Sequence, residues 1–303
     1  MKNNKPLILG YLFALSATAI WSGNFIIARD LNESIPPISL AFWRWVVAVL
    51  ILTPFAYKKL ITEWEILKKN SLYLSIVSFL GVTVFNTLIY IAGHTTTAIN
   101  LSLISITFPV FIVLLSRIFY KEAITMNKII GILLVLVGVL ILITKGEFSK
   151  LLNLSFAIGD TWMLLAAIIF ALYSILLRKK PTELSVPGFQ LSTFILGLIF
   201  MLPFFIWQTL SSPPIQFESK TVFSILYVGI FASLTAYILW NKAIEKIGAS
   251  NAGMIYYTLP LFSGFLAYVF LNEAIGMNHL YSLLLILSGI VIATLKKKSL
   301  SLK

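Results

Sequence analysis

Asn86 and Tyr90 stand four residues apart in one apolar run, and Tyr237 and Asn241 stand four apart in another, with the two residue types in reversed order. Four residues is about one helical turn, so each pair shares a face. An amide and a phenol can each donate and accept a hydrogen bond without carrying charge. Two such faces turned toward each other suit a neutral or zwitterionic solute; the same side chains could equally bond helix to helix, as buried polar groups in membrane bundles do. Ser102, Ser105 and Pro109 fall at i, i+3 and i+7, and Gly253, Tyr256 and Pro260 repeat that spacing. Small residues there admit a neighbouring helix or a solute, and a proline within a run frees carbonyls that neighbours or cavity water must satisfy. Trp21, Ser22 and Asn24 form a third cluster, with Phe170, Ala171 and Tyr173 as its counterpart. The pocket these residues describe is aromatic, neutral and weakly polar.

Apart from Lys128 at the very start of its run, two charged residues lie inside apolar runs, and such residues are candidates for function because a charge in hydrocarbon is costly. Arg44, within Phe42-Trp43-Arg44-Trp45, is expected to stack on indole or snorkel toward the outer interface. Asp160, beside Trp162 near the start of its run, reads as an interfacial or first-turn helix carboxylate rather than a proton relay. Catalytic patterns are missing: there is no HExxH, GxSxG or Gly-rich phosphate loop, and His94 and His279 sit at opposite ends of the chain's runs. An aspartyl intramembrane protease needs two membrane Asp residues, and the chain has only Asp30 and Asp160. With no cysteine, disulfides and thiolate chemistry are excluded. The reading is a protein that is not an enzyme and has no cofactor or metal; lacking an ATP-binding module, it would work on a gradient or by exchange.

The elements that must position these residues follow from composition. Of 303 residues, 59% are hydrophobic and 11% charged, against roughly 25% charged in a soluble domain, too few to cover globular surfaces. A spanning helix needs about 20 mostly apolar residues. Ten such runs lie near 7–28, 38–57, 72–92, 98–116, 126–144, 157–177, 187–207, 222–241, 252–271 and 278–295. They lack the alternation of barrel strands. With the N-terminus inside, 18 of the 23 Lys and Arg fall in inside segments and 4 in outside loops, Arg44 being the remaining one. Positive charge is retained on the cytoplasmic side, so both termini are expected there. Ala17-Thr18-Ala19 resembles a signal cleavage site, but its apolar run continues past it, and cleavage would remove one helix from the symmetry below. The net charge of +12 therefore reports orientation, not nucleic-acid binding.

The chain is written twice. Glu122-Ala-Ile-Thr-Met-Asn127 recurs as Glu273-Ala-Ile-Gly-Met-Asn278 at an offset of 151, with Pro109 and Pro260 each thirteen residues earlier. Gly10 and Gly159, Arg29 and Arg178, and Pro54-Phe55 and Pro203-Phe204 correspond at an offset of 149. An odd number of spans per unit makes the second copy enter the membrane from the opposite side. The expected fold is an all-α membrane protein of ten transmembrane helices in two inverted five-helix repeats, residues 1–147 and 155–296, divided in the polar stretch 145–154. Inverted repeats recur in secondary transporters, with the site near the midplane between the halves.

Longer motifs carry a family resemblance that covers nearly the whole chain. Ala19-Ile-Trp21-Ser-Gly-Asn24-Phe, Phe42-Trp-Arg44, Pro109-Val-Phe and Lys121-Glu122 stand in the first half. Tyr237-Ile-Leu-Trp240-Asn241-Lys-Ala243, Ile247-Gly-Ala249, Pro260-Leu-Phe and Leu271-Asn-Glu273 stand in the second. The sequence resembles the EamA-type ten-helix members of the drug/metabolite transporter superfamily. One departure is that the family's usual Gly before the Glu after the fourth and ninth spans is replaced here by Lys121 and Asn272. The resemblance implies alternating access, a pocket lined by the first, third, fourth, sixth, eighth and ninth helices, and often export of amino acids or other metabolites. Candidate binding residues are Trp21, Asn24, Asn86, Tyr90, Ser102, Tyr173, Tyr237, Trp240, Asn241 and Tyr256. The expected partners are a small-molecule solute and the lipid bilayer, of a bacterial plasma membrane, with the chain as monomer or homodimer. Import of a nucleoside-like or vitamin-like solute, or a non-transporting partner or receptor on a carrier scaffold, are the alternative readings.

Overall fold

Leu- and Ile-rich runs without surrounding water must satisfy every backbone N–H and C=O internally, and a helix does so within its own segment. The computed structural model describes residues 5–30, 34–96, 101, 104–144, 146–147, 149–152, 157–212, 215, 217–271 and 276–294, and among these there is helix and turn but no strand. The principal helices are α1 (Lys5–Asp30), α2 (Pro37–Thr62), α3 (Ser71–Thr95), α4 (Thr107–Tyr120), α5 (Met126–Thr144), α6 (Ile158–Leu176), α7 (Val186–Ser211), α8 (Ser219–Tyr256), α9 (Leu259–Leu271) and α10 (Met277–Thr294). Eight of them, all but α4 and α9, are long and apolar enough to cross a membrane. Exposed Leu133 and Val137 on α5 and Leu284 and Val291 on α10 belong to an apolar outer surface suited to lipid.

Two of the apolar runs differ from a simple span. The eighth run extends past 241, and α8 combines two helices that meet at a kink at Gly248, where φ is 78° and ψ 160°; the short helix after the kink, up to Tyr256, opens the ninth run. The ninth run, expected unbroken over 252–271, is divided at Tyr257–Thr258, whose N–H groups bond three residues back to Met254 and Ile255. In the first half Ile106 is likewise a turn, immediately before α4, and 106 and 257 are equivalent at the offset of 151. In each half the break lies three residues before the matched proline, Pro109 or Pro260, because a proline cannot donate to the preceding turn. Residues 97–100, 102 and 103 of the fourth run lie outside the described residues.

The third and eighth runs share a second irregularity. Phe79–Val84 in α3 and Val228–Thr235 in α8 are wide π-type turns. They coincide under the same offset, and such turns interrupt the ordinary ladder of backbone bonds.

Packing follows the duplication. α1 lies on α8 as α6 lies on α3; α1 touches α9 as α6 touches α4; α2 pairs with α7 and α5 with α10. Exchanging the halves reproduces the contacts. The α5–α10 pair is backbone-close: a Cβ on Gly131 would sit 2.4 Å from the Gly289 carbonyl oxygen, the small-residue approach typical of membrane helices.

Lys121 ends α4 in the left-handed conformation (φ 53°, ψ 27°), with its own N–H and that of Glu122 bonded back to Ser116 O. This C-terminal cap favours glycine, so Lys121 is a strained occupant of the position where the resemblance implies Gly. Gly248 occupies a region open only to glycine, although nothing lies within 4 Å of where a Cβ would be. Gly248→Ala should therefore cost about 1–3 kcal/mol despite the free space, whereas Lys121→Gly should gain up to about 1 kcal/mol. Thermal unfolding of the purified variants checks both, and a wild-type melting temperature for Gly248→Ala would contradict the argument.

Candidate functional site

Within the two π-type turns, the carbonyls of Gly81 and Ala232 stand at equivalent positions, and each accepts from an aromatic side chain of another helix. Tyr237 OH donates to Gly81 O at 2.7 Å, and Trp21 Nε1 donates to Ala232 O at 2.9 Å. Asn86 Nδ2 donates to Tyr237 OH at 2.8 Å. Asn86 and Tyr237 are themselves equivalent, so this bond joins the two halves at their centre.

On either side of that centre stands an Asn–Tyr bridge. Tyr90 OH donates to Asn24 Oδ1 at 3.1 Å, and Tyr173 OH donates to Asn241 Oδ1 at 3.1 Å. Asn24 corresponds to Tyr173 and Tyr90 to Asn241, so the swapped order noted in the sequence keeps one chemical bond in both halves with its partners exchanged.

Aromatic rings fill the space around these bonds. The Trp21 ring centroid is 5.6 Å from Phe170, its own counterpart, in an edge-on contact, and 5.3 Å from Trp240. Tyr256 stacks on Phe108 at 5.5 Å, and Trp240 Nε1 donates to Ser174 Oγ at 3.2 Å. Nine of the ten candidate residues are thus buried in one cluster; Ser102 lies outside the described residues. Trp21, Asn24, Asn86 and Tyr256 line a cavity of only about 10 Å³, at the lower limit for one water. In this conformation the core is closed.

A larger cleft of about 480 Å³ opens at the Lys- and Arg-rich end, with Arg178, Lys180, Glu122 and Glu245 at its sides and Asn241 reaching into it. Its volume is in the range of small-molecule sites. At its rim, Arg178 and Lys128 both pair with Glu122, the latter at 3.8 Å, and Lys128 Nζ donates to Ser250 Oγ at 2.7 Å. Arg178 also lies 4.0 Å over the Tyr120 ring. These contacts tie the connection after α4 to the end of α6 and the short arm of α8.

The residue least well placed by sequence is Arg44. Stacking on indole or snorkelling to the outer interface was the expectation, and the guanidinium does lie 5.4 Å from the Trp45 ring. Yet the residue is 0% exposed, because its donors are taken by the central cluster rather than by an interface. Nε donates to Ser233 Oγ at 2.6 Å, and NH1 donates to Asn86 Oδ1 at 2.8 Å and Tyr90 OH at 2.5 Å. Gln190 was missed altogether; its Oε1 accepts from Asn241 Nδ2 at 2.7 Å. A signal existed, since Gln190 lies one turn before position 193, the equivalent of Arg44. Nothing in the sequence singles out Ser233. Asp160 sits in the first turn of α6 and accepts from Ala157 N at 2.8 Å and from Thr96 Oγ1 at 2.5 Å. Among the described residues no group of His, Asp or Glu is arranged to hold a metal ion.

The EamA-like transporter family model matches residues 8–144 and again residues 157–295. The chain belongs to the EamA-like transporter family. An uncharacterized transporter of Archaeoglobus fulgidus is 27% identical, with 92% of this chain and 94% of that one aligned. The uncharacterized transporter YyaM of Bacillus subtilis is 24% identical, covering 94% and 93%, and YetK of the same organism 26% identical, covering 95% and 87%. A crystal structure 17% identical in sequence shares the fold, with a TM-score of 0.75 over 94% of this chain and 96% of the other. This EamA-like chain is therefore a multi-pass membrane transporter.

The Tyr237 hydroxyl serves two partners, while the buried Tyr257 hydroxyl has none. Tyr237→Phe should cost about 0.5–1.5 kcal/mol and Tyr257→Phe should be neutral or stabilising. Unfolding of the two variants side by side measures the contrast, and equal losses would refute the role given to the central bond.

Proposed function

We propose that this transporter is a gradient-driven or exchanging carrier of a small zwitterionic metabolite, an exporter of amino acids or related compounds, and not an enzyme. The reading takes the chain as ten spans in two inverted repeats with both termini in the cytoplasm of a bacterial cell. The candidate residues Trp21, Asn24, Asn86, Tyr90, Tyr173, Tyr237, Trp240, Asn241 and Tyr256 form its binding site. The observation that carries it is the pair of equivalent Asn–Tyr bridges, Asn24–Tyr90 and Tyr173–Asn241, flanking the Asn86–Tyr237 bond.

Alternating access needs two arrangements of similar energy that differ in which side is open. Matched bridges supply this: opening one side breaks an Asn–Tyr bond, and closing the other remakes a chemically identical one. In membrane proteins such interhelical bonds are worth about 0.6 kcal/mol, weak enough for a solute's polar groups to replace. With the cleft reaching Asn241 from the Lys-rich end while both Asn–Tyr bonds are made, the conformation described is in this reading an occluded state that faces the cytoplasm.

Asn86→Ala and Asn241→Ala should each reduce solute flux in proteoliposomes by about threefold or more, one lost bond's worth, with the amount of folded protein unchanged. Normal flux in both would sink the site. The polar core described has no carboxylate, so transport should be uniport or exchange. Concentrative uptake driven by an imposed pH gradient would contradict that and direct attention to Asp160.

A further inference from the structure

We propose that Arg44 is the anchor for a carboxylate, so that the site selects monocarboxylates, amino acids and their deaminated analogues alike, over amines, amides, sugars and nucleosides. This deepens the carrier reading above and rests on it for the location of the site.

The argument starts from unmet valence. A guanidinium has five N–H donors in a planar fork. In Arg44, Nε and NH1 are engaged by Ser233, Asn86 and Tyr90, all of them neutral, and NH2, equally buried, has no partner. None of the ion pairs formed among the described residues involves Arg44. A buried cation held only by neutral dipoles bears a large desolvation cost, and removing its counter-charge is what makes such a site unstable. An incoming carboxylate restores that counter-charge, and its two oxygens match the fork.

The second half of the protein shows that packing alone does not demand a cation here. Arg44 reaches from α2 to Tyr90; Gln190 reaches from α7, the equivalent helix, to Asn241, the equivalent of Tyr90. A neutral amide fills that role. The positive charge is therefore an addition on one side of an otherwise matched arrangement.

The route is short. Asn86 touches Arg44 NH1 with Oδ1 and lines the small central cavity, and Tyr90, the other NH1 partner, is bonded to Asn24, which lines the same cavity. As the cavity widens, a carboxylate takes the place of Asn86 Oδ1 on NH1 and engages the free NH2. The rest of the solute then faces Trp21, Phe170 and Tyr256. These rings accept apolar groups and tolerate an ammonium on their faces. No carboxylate lines the cavity to require that ammonium.

The test uses the full-length purified protein and matched series built on phenyl, isobutyl and methyl side chains: the amino acid, its deaminated acid, its amide and its decarboxylated amine. Ligands that bind the folded state raise the melting temperature with concentration. Within a series the amino acid and the deaminated acid should both stabilise the protein. The amide and amine should bind about tenfold more weakly or less. Arg44→Lys, which keeps the charge without the fork, should lose that preference. If neither Arg44→Lys nor Arg44→Gln folds, the wild-type series decides. Amides or amines binding as well as the acids, or no acid binding in any series, overturns the anchor. Counterflow with amides, amines, nucleosides and sugars separates the two readings. Transport of those solutes with no recognition of acids leaves the carrier standing and removes the anchor. Acid binding with no flux of any solute keeps the anchor and removes the carrier.

Discussion

Hydrocarbon offers no hydrogen-bond partner, so a polar group this chain carries into the bilayer is costly unless another part of the chain satisfies it. Helices discharge that obligation for the backbone. Wherever the helical ladder is interrupted, the obligation passes to side chains, and those places are where the polar residues gather. In the two π-type turns Gly81 O and Ala232 O accept bonds from Tyr237 and Trp21, which cross between helices to meet them. The central cluster is thus a consequence of the breaks in α3 and α8 as much as of the residues that fill it.

Duplication gives this cluster its energetics. Asn24–Tyr90 and Tyr173–Asn241 are the same bond made with the partners exchanged, at the same 3.1 Å. In the carrier reading, two halves with matched contacts would give two arrangements of similar energy, which an unsymmetrical core would not. The close-packed α5–α10 pair, with Gly131 against Gly289, is related to itself by the same exchange and lies apart from the polar centre. It forms a close-packed seam, while α1, α3, α6 and α8 hold the Asn–Tyr bridges of the centre.

Arg44 and Gln190 break the match. Each reaches from a helix of the α2–α7 pair to one of the Asn–Tyr bridges, and each leaves a buried donor without a partner, NH2 on one and Nε2 on the other. The result is a positive charge on one side of an otherwise matched arrangement, held by Ser233, Asn86 and Tyr90. The ionic contacts of Glu122 with Arg178 and Lys128 stand at the cleft rim, where partial exposure to water keeps them weak and able to part.

Much of this was legible in the sequence. Apolar runs of the needed length determine helices, the offsets of 149 and 151 determine the duplication, and Asn and Tyr four apart determine which faces are polar, because each depends on spacing along one helix or on identity at matched positions. Family motifs could be read in the same way. What the tertiary structure decided was everything that depends on partners far apart in sequence. It showed that Asn86 bonds its own counterpart Tyr237, that Gln190 and Ser233 belong to the centre, and that the ninth run is divided at Tyr257–Thr258. It turned the Lys121 departure into a strained left-handed cap. Above all it placed Arg44, whose sequence neighbours are indoles suited to an interface. The depth of a charged side chain is set by which donors and acceptors the other helices bring to it, and no local pattern around residue 44 records that Ser233, Asn86 and Tyr90 converge there.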